Sequence, residues 1–388
     1  MKITKLMLSA LVAAAALVSC NKEDLDPTAN GTGMKSVEIS LDNIVMTKGD
    51  AVQKITNGQA VNVTDFKIFL TDASFSQVYP AYDETGKIAA QFYWTGENLA
   101  SGPKTVNYHY VDSKCTRVVA VANAGDISLQ QLTSMKKTIE EQQNPTNLLL
   151  IADKVLSRVP DNPSTTEKDE SYHVADGKYN ELWKADLTLV PTISRFEVDG
   201  FTVNFSENPK FDAIQVTDIA FDHYWPTIIL DEHDGVFGAV PTGDHVKAVT
   251  EPTDDNEVYT WFNTLNTLDR WYKDSFENLV MTPDSYQADA PSPRAYHFFS
   301  GAIVPTMFIK LLADGDPAYV WTNVYKKADG SVISHIEPGK IYRMSAAGES
   351  ADNGSIEIPD DLDPIQRCID VTVEVVDWAV VLVTPDFQ

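Results

Sequence analysis

His223, His233 and His245 share one acidic stretch with Asp222, Asp231, Asp234 and Asp244. Imidazole nitrogens and carboxylates bind divalent transition metals, so a metal would be sought here first. The spacing makes no compact ligand set, and the flanking segments read as loop. Carboxylate pairs such as Asp254-Asp255 and Asp360-Asp361 offer general acid–base chemistry. Among 56 acidic residues such neighbours arise from composition alone, and they read as solvated loop charge. Asp314-Gly315-Asp316 is a fragment of a calcium loop without the remaining ligands, and its residue types suit a hairpin turn. The sequence has no G-x-S-x-G, no H-E-x-x-H and no phosphate-binding glycine loop. It therefore reads as a non-enzymatic chain needing no metal and no cofactor.

Covalent chemistry is indicated at one cysteine. Lys2 and Lys5 precede an apolar run from Leu6 to Val18, too short to span a bilayer comfortably. The run ends in Leu17-Val18-Ser19-Cys20, which resembles a bacterial lipobox. That resemblance implies cleavage between Ser19 and Cys20 and acylation of Cys20, leaving the protein attached to a membrane by lipid. Asn21-Lys22-Glu23-Asp24 follows and resembles a short surface-export signal of Bacteroidetes lipoproteins. No later segment is apolar enough to cross a membrane. Cys115 and Cys368 remain, both at the start of strand patterns, either as a disulfide or as two buried thiols. No CxxC indicates structural zinc.

The charge balance, 30 basic against 56 acidic residues for a net of −26, opposes any grip on phosphates. Nucleic acid is not expected as a partner on that ground, and anionic membrane surfaces are equally poor targets.

The elements that would position these residues are strands. Residues 21–35 are a polar tether. Val37, Ile39 and Leu41 then alternate with polar residues, and the phase slips to Ile44 and Met46, as at a bulge, before Thr47-Lys48-Gly49-Asp50. Strand patterns recur over 61–71, 88–94, 104–111 and 116–123. A helix is expected from Ser128 as N-cap, with Leu129, Leu132, Met135 and Ile139 on one face, to a polar end at 142–144. Residues 148–156 read as strand or short helix, and 161–176 as a surface loop.

The pattern restarts near Leu182, where a domain boundary is expected, and strands follow over 193–205, 211–221 and 225–230. Residues 233–293 read as a loop-rich excursion with scattered aromatics. Strands return over 296–312, 319–325 and 339–344, and 348–363 reads as a polar linker. The last stretch, Cys368 to Phe387, begins with Ile369, Val371, Val373 and Val375 on one face. It becomes almost wholly apolar from Trp378 to Val383, as a strand covered on both faces does. So hydrophobic a terminus must lie in a groove, of its own fold or of another copy. Scarce helix and many short strands make the chain mainly β, built of β-sandwiches.

This order of signals resembles the fimbrillins, pilin-like lipoproteins that build type V fimbriae in Bacteroidales. The resemblance rests on the lipobox, the early strand ending at Thr47-Lys48, and Val118 to Asn123 closing a strand ahead of a helix. It rests further on Ser194-Arg195-Phe196-Glu197-Val198, Tyr296 to Leu312 with Pro305 inside, Ile336-Glu337-Pro338-Gly339-Lys340-Ile341-Tyr342, and the terminal strand with Trp378. The final strand most resembles the major-subunit type of the minor fimbrium.

The resemblance implies two transthyretin-like β-sandwich domains in tandem with a few short helices. The expected division is a signal peptide over 1–19, a lipidated tether over 20–35, and sandwiches over 36–181 and 182–388. It also implies polymerisation by strand exchange, in which proteolysis removes the first strand (Val37, Ile39, Leu41, Ile44 and Met46). A neighbouring subunit then fills the groove with a donor strand, here Val376, Trp378, Val380, Val381, Leu382, Val383 and Phe387. The family's processing site is typically an arginine after that strand, but the first arginine here is Arg117. Lys48 occupies the corresponding place, with Lys54 as a second option; the other course is an anchor or tip subunit that keeps its first strand.

Partners implied are other fimbrial subunits, including anchor and tip proteins, the outer membrane through the lipid, and a host or bacterial surface ligand. A surface glycan-binding lipoprotein is the competing class, with the aromatics between Trp261 and Tyr286 as sugar platforms.

Overall fold

The computed structural model describes residues 34–41, 44–47, 61–82, 92–95, 105–143, 148–159, 173–174, 178–179, 181–233, 235–246, 260, 273–344, 355–360, 362, 370–377 and 380–383. The chain opens with β1 (Met34–Leu41), β2 (Ile44–Thr47), β3 (Val61–Val63), β4 (Asp65–Thr71), β5 (Tyr93–Thr95), β6 (Thr105–Asp112) and β7 (Arg117–Ala122). A single helical turn, α1 (Leu129–Leu132), precedes β8 (Lys136–Thr138), β9 (Leu150–Val155) and β10 (Ser157–Arg158). Then come β11 (His173–Val174), β12 (Lys178–Tyr179), β13 (Glu181–Leu187) and β14 (Val190–Pro191).

The second half runs β15 (Ile193–Asn204), β16 (Ile214–Asp222), β17 (Thr227–His233), β18 (Val236–Pro241), β19 (Lys273–Met281), β20 (Gln287–Phe299) and β21 (Thr306–Ala313). It closes with β22 (Asp316–Thr322), β23 (Tyr325–Lys327), β24 (Lys340–Met344), β25 (Ser355–Pro359), β26 (Asp370–Asp377) and β27 (Val380–Val383). The protein is mainly β, as its composition of short strands requires.

Two sheets built from the first half face one another, ordered β10-β13-β1-β6 and β14-β9-β7-β4-β5. All six residues of β7 are buried, so its apolar run Val118 to Ala122 sits at the sheet's centre with both faces covered. Phe92 and Tyr108 stack between the sheets at 4.8 Å. The second half repeats the arrangement with β20-β15-β24-β26-β23 against β19-β16-β21-β22. Phe196 on β15 lies among Phe298, Tyr325 and Tyr342 at 5.3, 5.5 and 5.0 Å, and Phe221 meets Tyr296 at 4.6 Å.

A further sheet, β18-β17-β8, takes strands from both halves. Gly339 marks another contact between them: its φ is +69°, and a Cβ there would stand 2.7 Å from Val190 Cγ1. Only glycine allows that approach.

Four sequence expectations are corrected. The helix from Ser128 stops after one turn, although Ser128 and Gln131 form a capping box. Ser134 and Thr133 donate their hydroxyls to Gln130 O at 2.9 and 3.3 Å, an alternative that competes with helix propagation. The next residues join β17 as β8.

The stretch 233–293 is largely strand where described. Its β19 hid because a bulge opposite β16 breaks the alternation: Phe276, Leu279 and Met281 are buried, with Asn278 at φ +62° between them. The polar linker 348–363 contains β25, whose Ile356 and Ile358 are fully buried beside β15 and β26. Finally, 37–46 is two strands in separate sheets, with β1 between β13 and β6 and β2 against β27. The ambiguous run 148–156 contains the strand β9, and the end of 161–176 carries β11, which pairs with β12 just beyond it.

Candidate functional site

The strand that the resemblance marks for removal, β1, is an interior strand. Lys35 to Leu41 pair in parallel register with Glu181 to Leu187, and the other edge pairs antiparallel with β6. Alternation sends Val37 and Ile39 into the core at 1% and 0% exposure, with Leu41 packed against it.

Polar groups hold the first half of the strand. Lys35 is buried, donates to Cys115 O and lies 4.3 Å above the Trp183 ring. Ser36 Oγ meets His109 Nδ1 at 3.2 Å, and Glu38 pairs with Lys184 at 2.6 Å. Cys115 is a buried free thiol whose desolvation, outweighing the nearby Lys35 charge, pushes it up to about 11. Cys368 lies outside the described residues.

The terminal strand divides in two. β26 carries Val371 and Val373 into the second core at 0% and 1% exposure, and its Val376 pairs with Ile341 of β24. β27, Val380 to Val383, leaves that sheet and lies between β2 and β3, parallel to both. Of the other predicted site residues, Ser19, Cys20, Lys48, Lys54, Trp378 and Phe387 lie outside the described residues. So do Trp261 and Trp271; Phe276 is buried in the core and Tyr286 is exposed.

The motif residues have structural tasks. Asn123, at φ +59°, donates Nδ2 to Asn62 O and Leu148 O at 2.8 Å each, and its Oδ1 accepts from Thr64 N at 2.8 Å. It stitches β3 to the end of β7. Arg195 donates to Glu197 at 2.6 Å, and Arg343 bridges Glu197 and Glu374 at 3.0 and 3.1 Å, a ladder across β15, β24 and β26. His297 adjoins this ladder through Arg195 Nη1 at 3.1 Å, and donates Nδ1–H to Gln142 O at 2.8 Å. Burial and the Arg195 charge push His297 down to about 3, so it is neutral.

Sequence reasoning passed over one group. Arg117 donates to both oxygens of Asp153 at 2.5 Å and to Gly235 O, while Asp153 Oδ2 accepts from Phe237 N at 2.6 Å. With the Phe75–Phe237 ring contact at 5.1 Å, this fastens the β17–β18 hairpin onto the first half. Arg117 and Asp153 are distant in sequence, and only their facing places on β7 and β9 bring them together.

The early histidine and aspartate candidates do not converge. His223 Nδ1 is 3.3 Å from Asp222 Oδ2, and its ring is 6.2 Å from that of His245. His233 ends β17 opposite Val236, while Asp231 and Asp244 are exposed. Among the described residues no three His, Cys, Asp or Glu gather to hold a metal. Asp360 is buried and caps Ser206, accepting from its N and Oγ at 2.8 Å. Asp314 and Gly315, at φ +49° and +92°, form the β21–β22 hairpin turn.

No protein-family model matches the chain, and no curated protein is similar to it. Solved structures of Bacteroidales adhesion and fimbrial proteins do match along nearly its whole length. A candidate cell adhesion protein of Parabacteroides distasonis matches with a TM-score of 0.49 and 12% identity, over 92% of this chain and 99% of that one. A fimbrilin (FimA) of Porphyromonas gingivalis matches with a TM-score of 0.44 and 14% identity, over 89% and 99%. The tip fimbrial protein Mfa3 of the same species matches with a TM-score of 0.39 and 9% identity, over 88% and 100%.

Proposed function

We propose that this protein is a structural subunit of a cell-surface fimbrium that polymerises by strand exchange and supports adhesion and biofilm formation. In this reading Cys20 carries the lipid that brings the subunit to the outer membrane. Cleavage at Lys48, or at Lys54, then lets β1 leave, and the C-terminal strand of a neighbour takes its place. The chain is a scaffold and not an enzyme, and its partners are further fimbrial subunits and whatever surface the fibre meets. The first sandwich then extends through β14, and the second begins with β15.

The observation that carries the reading is the interior position of β1. Its loss bares the backbone edges of β13 and β6 together with an apolar slot, a state that another strand relieves. Burial of Val37 and Ile39 alone contributes about 3–6 kcal/mol gross, at ~1.5–3 kcal/mol per side chain. A competing strand must recover at least this much.

The test is native trypsin treatment of the mature protein, with N-terminal sequencing and SDS gels run without boiling. Cleavage after Lys48 is expected to yield ladders of multimers, and deleting residues 378–388 to abolish assembly in cells. Cleavage without multimers, together with normal assembly of the deleted chain, refutes the reading.

A further inference from the structure

The strands flanking β27 belong to its own chain. β27 pairs with β2 over four positions, Ile44↔Val380 to Thr47↔Val383, and with β3 over three, Val61↔Val380 to Val63↔Leu382. β3 is firmly held, since Val61 and Val63 are fully buried and Asn123 grips its backbone from both sides of the strand's end. β2, in contrast, is joined in sequence to β1 on one side and to residues 48–60 on the other. Lys48 and Lys54 both fall in that joining segment, between the two strands that enclose β27. β26 stays in the sheet of the second half, so the terminal run changes sheets between Asp377 and Val380.

We propose that the C-terminal strand is parked in its own subunit, as the centre of the β2–β27–β3 sheet, and that parking keeps an uncut subunit from donating it. The proposal rests on the strand-exchange reading above. A backbone cut between β2 and β3 leaves β2 covalently attached only through β1. When β1 departs, β2 departs with it, and β27 is left with the three-residue pairing to β3. A two-stranded pairing that short is marginal in water. One cut therefore opens the acceptor slot and frees the donor strand together, while an uncut subunit offers neither and cannot polymerise early.

Val45 and Val381 are register partners, as are Met46 and Leu382. The test places a cysteine pair at each in the full chain, in a Cys368→Ser background: Val45→Cys with Val381→Cys, and separately Met46→Cys with Leu382→Cys. Oxidation of uncut monomer is expected to give an intramolecular disulfide in at least one pair, identified by peptide mass spectrometry. Val45→Cys with Val373→Cys, whose second cysteine lies in the other sheet, is expected to give none.

After the cut, the oxidised protein is expected to stay monomeric where the wild type forms ladders, and dithiothreitol to restore them. If neither pair cross-links within a monomer, the parked strand is overturned, whatever the protein's function. If the locked protein polymerises at the wild-type rate, the link between parking and assembly is overturned. If the cut wild type forms no multimers while the cross-link does form, the parked strand stands and the strand-exchange reading falls.

Discussion

Truncating Ile39 should weaken the uncut subunit and leave the assembled fibre unchanged. Ile39 is fully buried at the middle of β1, between β13 and β6, so Ile39→Ala removes packed atoms and leaves a cavity. Buried Ile→Ala changes cost about 2–5 kcal/mol. At ~1.4 kcal/mol per tenfold, the lower end is a shift of about 30-fold in the unfolding equilibrium.

With a urea dependence of about 1–3 kcal/mol per molar, the midpoint at that lower end should fall by roughly 0.7–2 M with an unchanged slope. The assay is urea unfolding of uncut monomer followed by fluorescence, beside the urea resistance of multimers on unboiled gels. Ile39→Val, expected to cost about 0.5–1.5 kcal/mol, gives an intermediate point should the alanine variant not fold. Multimers lack β1 in the strand-exchange reading, so their resistance should match the wild type. Equal weakening of monomer and multimer would show that β1 stays in place, and the reasoning would fail.

Three further outcomes are expected. Asp153→Asn leaves the nearly buried Arg117 guanidinium without its charge partner and should cost about 3–5 kcal/mol in thermal unfolding, with faster hydrogen exchange at the Phe237 amide. Asn123→Gly keeps the left-handed backbone but deletes the four hydrogen bonds of its side chain, whereas Asn123→Ala adds strain; both should lose stability, the alanine variant by about 1 kcal/mol more. His297 is held neutral with its pKa down at about 3 against an ordinary value near 6.5, so between those values the unfolded chain binds the extra proton. Its contribution is therefore complete above about pH 6.5 and is lost as pH falls, by up to ~1.4 kcal/mol per unit, and His297→Gln should flatten urea midpoints measured from pH 7 to pH 4.

Much of the fold could be read locally. Val37 and Ile39, Phe196 and Val198, and Val371 and Val373 announce strands because successive residues on extended chain face opposite sides, and an alternating pattern is recorded in a few neighbours. The β19 strand escaped because a bulge at Asn278 broke that alternation, and β25 because two isoleucines were too few to stand out from acidic flanks. The helix was over-read because Leu129, Leu132, Met135 and Ile139 keep helical spacing, while the hydroxyls of Thr133 and Ser134 and the edge of β17 favour another course. Arg117, Asp153 and Asn123 showed no sign of their contacts, which join residues far apart along the chain.

Composition and alternation are enough to make the chain mainly β, to set its charge against nucleic acid, and to require cover for its last residues. Which strands supply that cover follows from the folded chain alone. Apolar alternation belongs to the side chains and is visible along the chain. Strand pairing is made by backbone N–H and C=O groups that nearly every residue carries alike, so nothing in Val380 to Val383 names β2 and β3 as neighbours. Their place in the sheet exists only once both ends of the chain meet.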